Sequence, residues 1–479
     1  MPAMQDVAIT PLPIDWLGAV IGSDRLTGVR RSLGRLRRIL GDRTVWTVNS
    51  TATGGGVAEM LPRVLGYQWA AGIRAPWMVI GGDEAFFALT KRLHHCLHGS
   101  PGDGGPLGEG EHQHYRDILA ANAETLLGRV RPGDIAVLHD PQVAALAGPL
   151  RTAGLTTIWR CHVGADVRNE HTQAAWNFLR PYLEPVDAFV FSRPEYVPFG
   201  SYDGRVRICP PTIDPLSPKN QPLGSHEVIG IASRIGLVAA DDTVATAAAQ
   251  SAAVRRVRRT ASITRLGPPI PTDSPLVVQV SRWDPLKDPI GVMEAFVRLD
   301  LDRHDAHLAL VGPDVSGVTD DPEGQAVLGA CVAAWEALPP RERARVHLVS
   351  LPMDDPVENA LMVNAIQRHA TIVVQKSLAE GFGLTVTEAM WKARPVVASA
   401  VGGIRDQIDD AIHGQLLHDP ADHDQLAAVL TSLLDAPRAV TDGLGQRAKA
   451  RVRAEFLDDR QLLDWAALLD VVLAGHQAA

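Results

Sequence analysis

The chain has 479 residues, 46% of them hydrophobic and 21% charged, a length beyond what one hydrophobic core usually supports, so we expect a globular protein of two domains. Its formal net charge of −9 argues against a nucleic-acid binder, which would normally carry a basic surface. Four widely separated cysteines indicate neither a zinc site nor a disulfide framework, and the lack of a signal pattern or a long apolar stretch predicts a cytoplasmic protein without membrane association.

Short apolar runs that end in polar or glycine residues alternate with longer amphipathic segments along the whole chain. They predict strands at residues 45–50, 77–81, 135–140, 157–162, 188–192 and 206–210, and then at 276–281, 308–312, 346–350, 371–375 and 395–399. This rhythm is typical of βαβ units. It predicts an α/β protein with two doubly wound parallel sheets.

The proline-rich segment 210–218 separates the two sets of strands and favours an extended, stiff connector. We therefore place the domain boundary near residue 213. The span 224–274 breaks the rhythm and contains an arginine-rich run at 254–259, which we interpret as a solvated helix face in preference to a phosphate or membrane contact. Near the C-terminus, the apolar spacing over 459–473 predicts a packed helix.

The segment Glu380-Gly-Phe-Gly-Leu-Thr-Val-Thr-Glu388 is the most informative motif in the chain. Glycines at 381 and 383 let the backbone approach a ligand closely, and the free N–H groups of Leu384 and Thr385 at the helix start form an anion site. The two carboxylates lie close enough in sequence to reach one ligand. This combination suits a sugar joined to a diphosphate.

Other unusual residues also follow predicted strands, where ligands bind in open α/β sheets. Three glycines at 54–56 follow the strand 45–50 and leave room for a ligand against bare backbone. Arg282 and Lys287 follow the strand at 276–281 and would neutralise a diphosphate, although two basic residues in a loop are commonly solvated surface. His139 and His162 are each either a core or capping residue or a sugar contact.

A histidine-rich helix at 93–98 invites a metal interpretation. His94 and His98 have the i, i+4 spacing that zinc can use, but no Asp or Glu lies between them. We also find no Asp-x-Asp motif after a strand, and we favour a structural helix and no metal site.

With these residues in view, the chain resembles retaining glycosyltransferases of the GT-B fold in glycosyltransferase family four, whose Glu-x7-Glu pattern matches Glu380 and Glu388. More narrowly, it is similar to the trehalose synthases of the glycosyl-transferring type. The resemblance runs from about residue 44 to 460, and the segments that carry it are 48–59, 139–142, 159–162, 210–217, 279–284, 321–324 and 380–391.

The resemblance implies two Rossmann-like domains that face each other across a cleft, an acceptor-side domain over residues 1–213 and a nucleotide-sugar-binding domain over 214–459, with a C-terminal helix at 460–479 crossing back to the first. It also implies a role for individual residues. Arg282 and Lys287 would bind the donor diphosphate, Glu388 the ribose and Glu380 the transferred glucose. The remaining donor contacts would be Gly55, Gly56, Gly383, Leu384, Thr385 and His162, and the acceptor glucose would meet Glu59, Asp140 and Arg160.

The implied activity is transfer of glucose from an NDP-glucose to glucose with retention of configuration, which gives the α,α-1,1 bond of trehalose. No cofactor is required, Mg²⁺ is at most accessory, and a homodimer is the default expectation. Two enzyme alternatives stay open, a trehalose phosphorylase and a related retaining transferase with a different sugar or pseudo-sugar acceptor. A sugar-nucleotide sensor without catalysis is a third hypothesis.

Overall fold

The structure is a computed structural model that describes residues 4–53, 56–198, 204–239, 248, 250–315 and 322–477. The chain divides into two units, one made of residues 1–212 together with 456–479, and the other of residues 213–455. We call them the N-terminal unit and the C-terminal unit. Gly55, one of the predicted donor contacts, lies outside the described residues.

Strands and helices alternate through both units. The strands are β1 (Gln5–Val7), β2 (Val45–Asn49), β3 (Trp77–Val79), β4 (Ile135–His139), β5 (Thr156–Cys161), β6 (Ala188–Phe191), β7 (Val206–Ile208), β8 (Ser262–Thr264), β9 (Leu276–Val280), β10 (His307–Pro313), β11 (Val346–Leu351), β12 (Ile372–Gln375), β13 (Val396–Ser399) and β14 (Gln415–Leu417). The helices of the first half are α1 (Gly18–Ile21), α2 (Ser23–Leu40), α3 (Gly56–Ala70), α4 (Glu84–Leu97), α5 (Glu109–Leu127), α6 (Ala147–Thr152), α7 (Glu170–Leu183), α8 (Ser225–Arg234) and α9 (Ala252–Arg256). Those of the second half are α10 (Pro289–Phe296), α11 (Leu301–His304), α12 (Pro322–Ala337), α13 (Pro340–Arg343), α14 (Pro356–His369), α15 (Leu384–Trp391), α16 (Ile404–Gln407), α17 (His423–Asp435), α18 (Arg438–Glu455) and α19 (Asp458–Gln477).

In the N-terminal unit, the described strands form one sheet in the order β1-β3-β2-β4-β5-β6-β7. All neighbours are parallel except β1 and β3. The central strands β4, β5 and β6 are buried along their whole length, as expected for parallel strands covered by helices on both faces. The chain reverses its direction of travel along the sheet between β3 and β4, so a ligand site is expected at the strand ends near this point.

Helix α19 belongs to the N-terminal unit, where it packs on α2. Its buried apolar face includes Leu462, Trp465 and Leu469. At its first turn, Asp459 forms an ion pair with Arg25 of α2. The C-terminal segment therefore completes the core of the unit that the N-terminus begins.

In the C-terminal unit, the described strands form a second sheet in the order β14-β13-β12-β9-β10-β11-β8. Only β8 runs antiparallel to its neighbour β11. A hydrophobic core of its own packs between this sheet and α10, α12 and α17. Within the described ranges, no helix of either unit is long and apolar enough to cross a membrane.

The predicted fold class is confirmed, since both sheets are doubly wound and mainly parallel. Every predicted strand is present, with ends that differ by at most two residues from the predicted ones. The three strands that the sequence did not predict, β1, β8 and β14, are each three residues long. Each lies at an outer position of its sheet, where burial does not impose a long apolar run.

The arginine-rich run at 254–259 is helical only as far as Arg256. Arg256 forms an ion pair with Asp355, and Arg259 forms one with Glu358 at 2.6 Å, both at the start of α14. These two guanidinium groups are thus occupied by carboxylates of the same unit. The arrangement supports the structural interpretation of this run.

Candidate active site

One group of predicted site residues lies in the C-terminal unit, at the carboxyl ends of β9 and β12. The Lys287 ammonium lies 2.6 Å from a carboxylate oxygen of Glu380, and the two side chains are only 16% and 13% exposed. Ser377 donates its hydroxyl to the same oxygen at 3.2 Å. The structure therefore brings two of the predicted residues into direct contact.

A hydrogen bond and an ion pair fix the backbone around Lys287. The Gln279 amide at the end of β9 donates to the Lys287 carbonyl oxygen at 2.6 Å. The next residue, Asp288, has a left-handed backbone (φ 48°), caps α10 and pairs with the fully buried ammonium of Lys376. A buried ion pair of this kind contributes little net stability but fixes local geometry, because breaking it would leave an unpaired buried charge.

Arg282 has a different environment from Lys287. Its side chain is 71% exposed, and its guanidinium donates to Asp284 at 3.0 Å. Asp284 in turn accepts from the Leu286 backbone N–H at 2.8 Å. Arg282 is thus a largely solvated cation on the loop that ends at Lys287.

The loop that carries Glu380 depends on two glycines. Gly383 has φ 84° and caps α15, so the N–H groups of Leu384 and Thr385 in the first helical turn point out of the helix end. Gly402 has φ 50°, and a Cβ atom there would lie 1.8 Å from the Glu380 carbonyl oxygen. The Gly403 N–H donates to the Gly381 carbonyl oxygen at 2.9 Å, which fastens the two loops together.

Glu388 lies on α15 and is largely buried. Its carboxylate is 3.6 Å from the ammonium of Lys219, a residue that the sequence analysis did not select. Lys219 follows the proline-rich connector, and nothing in its local pattern separates it from a solvated lysine. Only the fold reveals that it faces a motif carboxylate about 170 residues later in the chain.

A second group of predicted site residues lies in the N-terminal unit, at the adjacent ends of β4 and β5. His139 Nδ1 and His162 Nε2 are 3.1 Å apart, and the two rings stack. Burial, together with the nearby Arg160 guanidinium, lowers the pKa of His139 to about 3 and holds the pKa of His162 well below its usual value. Both imidazoles are therefore neutral at physiological pH, and a ring N–H of one donates a hydrogen bond to the ring nitrogen of the other.

Asp140, at the end of β4, has an unusual backbone conformation. Its φ of 67° is uncommon for a residue with a side chain and costs about 1–3 kcal/mol. Three hydrogen bonds hold it there: its N–H donates to the Arg160 carbonyl at 2.8 Å, its carbonyl accepts from the Trp159 indole at 3.0 Å, and its carboxylate accepts from the backbone N–H of His162 at 2.7 Å. Burial raises the pKa of the Asp140 carboxyl to about 7, against the opposing effects of the His162 N–H and Arg160.

Arg160 lies in the interior of the N-terminal unit. It is 1% exposed, and its guanidinium lies over the Trp465 ring of α19, 5.5 Å from the ring centre. The residue points to the interior because alternate side chains of a strand face opposite sides of the sheet. This position favours a structural role, and its predicted acceptor contact stays a prediction.

The two other predicted residues of this unit lie on α3. Gly56 is the first residue of the helix, and Glu59 is exposed in its first turn. The histidine-rich helix α4 flanks the β5 end, where His98 Nδ1 lies 3.0 Å from the Gly164 carbonyl oxygen. Over the described ranges, no group of three or more His, Cys, Asp or Glu side chains is arranged to hold a metal ion.

Comparison with known proteins agrees with this geometry. Residues 47–198 match the family described as Trehalose synthase, N-terminal domain, and residues 356–451 match Glycosyl transferases group 1. A trehalose synthase from Rubrobacter xylanophilus is 34% identical over 452 residues, which cover 91% of this chain and 93% of that protein.

Two solved structures are similar in fold. The α,α-trehalose 6-phosphate synthase from Burkholderia multivorans has a TM-score of 0.66 at 16% identity and covers 91% of this chain and 98% of its own. A trehalose-6-phosphate structure from E. coli, bound with UDP-2-fluoro glucose, has a TM-score of 0.64 at 15% identity and covers 89% of this chain and 99% of its own.

The two doubly wound units have the GT-B fold, and the family matches identify the chain as a glycosyltransferase. The chain belongs to the trehalose synthase family, because the relative from Rubrobacter matches it over nearly its whole length. The predicted resemblance is thus confirmed, and the protein is a trehalose-related glycosyltransferase.

Proposed function

We propose that this protein transfers glucose from an NDP-glucose to glucose and retains the configuration of the donor carbon, so that the product is trehalose. The observation that carries the proposal is the Lys287–Glu380 contact beside the N-terminus of α15. In this proposal the Lys287 ammonium meets the diphosphate and the adjacent Glu380 carboxylate meets the sugar. The name of the Rubrobacter relative and the nucleotide sugar in the E. coli structure support the same donor and product.

Departure of the diphosphate is the step for which the C-terminal unit is suited. Negative charge grows on the leaving phosphate in the transition state, and preorganised cations and N–H groups stabilise it. Lys287, Arg282 and the N–H groups of Leu384 and Thr385 fill this role, with Gly383 giving the phosphate access to the backbone. The Lys287 ammonium has three donors, so it can keep one on Glu380 while others meet the phosphate.

The two motif carboxylates have separate tasks in this proposal. Glu380, fixed by Lys287 and Ser377, accepts from hydroxyl groups of the transferred glucose. Glu388, in the second turn of α15, accepts from the ribose hydroxyls. A carboxylate is acceptor-only when ionised, which suits it to a ligand that is rich in hydroxyl groups.

We assign the sugar contacts of the N-terminal unit to His162, Gly55 and Gly56 for the donor and to Asp140 and Glu59 for the acceptor. Retention without a dedicated nucleophile requires that the acceptor hydroxyl attack from the side that the leaving group vacates and give its proton to the departing phosphate. A covalent glycosyl-enzyme at Glu380 is the alternative route. Trapping of such an adduct would overturn our proposal for the mechanism.

No cofactor enters this scheme, since lysine, arginine and backbone N–H groups replace a divalent metal at the diphosphate. We expect Mg²⁺ to be at most accessory. Activity in EDTA should equal activity in Mg²⁺ within about twofold if the protein groups provide this stabilisation.

The decisive experiment is a product screen of ADP-, UDP- and GDP-glucose against glucose, glucose 6-phosphate and other polyols, with the anomeric configuration read by NMR. Formation of α,α-trehalose from free glucose supports the proposal. A clear preference for glucose 6-phosphate would overturn the acceptor assignment. Release of glucose 1-phosphate from trehalose and inorganic phosphate, without nucleotide, would instead indicate a phosphorylase.

A further inference from the structure

The segment of residues 217–221 is fastened to helix α14 by two side chains. The Asn364 amide donates to the carbonyl oxygens of Pro218 and Gln221, at 2.9 Å in each case. The Arg368 guanidinium donates to the Gln221 carbonyl at 3.0 Å. The segment has no regular structure, so these bonds satisfy backbone groups that a helix or strand would otherwise satisfy.

Helix α15 holds the same segment through Asn220. The Trp391 indole donates to the Asn220 carbonyl at 3.1 Å, and the Lys392 ammonium donates to the Asn220 side-chain oxygen at 3.0 Å. Lys392 also donates to the Glu388 carbonyl at 3.1 Å. Burial lowers the pKa of Lys392, because it disfavours the charged form. The surrounding oxygen atoms stabilise that charged form.

Lys219 lies between these fixed points, and its ammonium is 3.6 Å from a Glu388 carboxylate oxygen. Two neighbouring cations, Arg368 and Lys392, donate to carbonyl and amide oxygens. In the part of the chain that the structure describes, Lys219 is the basic side chain within 4 Å of that carboxylate. Both side chains are largely buried, where an ion pair is less screened than at the surface.

We propose that Lys219 is a positioning residue for the nucleotide half of the donor, acting through Glu388. It balances the charge of Glu388 and holds one carboxylate oxygen, which leaves the other oriented toward two neighbouring hydroxyl groups of a ribose. The inference rests on the proposed function, because it takes the donor to be a nucleoside diphosphate sugar. It adds that the segment after the proline-rich connector is part of the nucleotide site.

Direct binding by titration calorimetry tests this inference without turnover. ADP, UDP and GDP are titrated into the full chain as wild type, Lys219→Met, Lys219→Arg and Lys449→Met. Lys449 is the matched control, since its ammonium lies over the Trp391 ring in the same region, 5.2 Å from the ring centre.

Lys219→Met should weaken nucleoside diphosphate binding about 5- to 20-fold, as expected for loss of a charged partner, and Lys219→Arg should recover most of it. Lys449→Met should bind as the wild type does. Inorganic pyrophosphate has no ribose, so its affinity should be the same for the wild type and for Lys219→Met. In steady-state assays the donor KM should rise while kcat changes by less than about twofold.

A second variant tests the fixed segment itself. Asn220→Ala removes the Lys392 contact and should weaken nucleotide binding as Lys219→Met does, with the melting temperature measured in parallel. Unchanged nucleotide affinity in Lys219→Met, or an equal loss for pyrophosphate, would overturn the inference alone. If the wild type binds none of the three nucleotides, the proposed donor class fails, and the inference fails with it.

Discussion

The ammonium of Lys287 is 2.6 Å from the Glu380 carboxylate, at the junction of two loops that leave neighbouring parallel strands. Each residue is positioned by the turn that carries it. Lys287 ends a short 3-10 turn that Asp284 caps, and Glu380 precedes the glycine turn that opens α15. The contact therefore depends on both loops at once.

Lys287→Ala should lower kcat by about 10²–10³-fold, because it removes a preorganised cation from the leaving phosphate. Lys287→Arg should recover only part of the activity, since a planar guanidinium does not reproduce the ammonium geometry. Steady-state kinetics measure both effects. Lys91→Ala, an exposed residue of α4, is the control. Turnover of Lys287→Ala within twofold of the wild type would remove Lys287 from the mechanism.

The raised pKa of Asp140 predicts that kcat/KM for the acceptor depends on pH. With a pKa of about 7, its carboxyl is protonated below that pH and ionised above it. If the carboxylate accepts a hydroxyl of the acceptor, kcat/KM for the acceptor should rise as the pH increases through about 7. Asp140→Asn should give a low value without this rise. An unchanged profile in Asp140→Asn would assign the ionisation to another group.

Gly402→Ala should disturb the Glu380 loop far more than it disturbs the fold. The new Cβ would meet the Glu380 carbonyl oxygen at 1.8 Å, in addition to the roughly 1 kcal/mol that a left-handed alanine costs. Gly236 is a matched control, since it has φ 85° and nothing within 4 Å of its Cβ position. Activity should fall at least about tenfold in Gly402→Ala and hold in Gly236→Ala, where only the backbone cost applies. Equal activity in both would show that the loop tolerates displacement.

Trp465→Ala should destabilise the N-terminal unit by about 3–5 kcal/mol, because a buried indole is lost and the Arg160 guanidinium loses the ring it covers. Removal of residues 460–479 should have a larger effect. Urea or thermal unfolding measures both. Val471→Ala, at an exposed position of the same helix, should change little. A melting profile unaffected by the truncation would contradict the docking of α19.

A buried histidine pair predicts sensitivity to acid. His307 Nδ1 and His347 Nε2 are 2.9 Å apart at the start of β10 and near the start of β11, and burial lowers their pKa values to about 4 and about 3. The unfolded chain binds protons there near pH 6.5 and the folded chain does not, so stability is complete above about pH 6.5 and falls as the pH drops toward 4.

His347→Leu should flatten the fall of the melting temperature between pH 6.5 and 4, because the folded variant no longer excludes that proton. The exposed His226 provides the control variant His226→Leu. Activity should be unaffected, since the pair lies at the strand ends opposite to Lys287 and Glu380. An acid slope as steep as that of the wild type would refute this explanation.

The fold was predictable because buried strands require apolar runs that are visible in the sequence. A fully buried parallel strand such as β4 or β11 needs a continuous apolar run, and the residue after it is at the ligand edge by topology. Strand β8 (Ser262–Thr264) has no such requirement, and three residues do not show a period. The Lys219–Glu388 contact and the burial of Arg160 needed the structure, because the local sequence pattern does not give the direction of a side chain.

The path of the chain has a consequence for the order in which its two units can fold during synthesis. The ribosome makes the first 212 residues early, but the helix that covers α2 comes last, after the 243 residues from 213 to 455. Until then the apolar face that receives Leu462, Trp465 and Leu469 stays open to water and to other nascent chains. The N-terminal unit is thus begun first but cannot be completed until the C-terminal unit has been synthesised, and chaperone demand should be greatest during this interval.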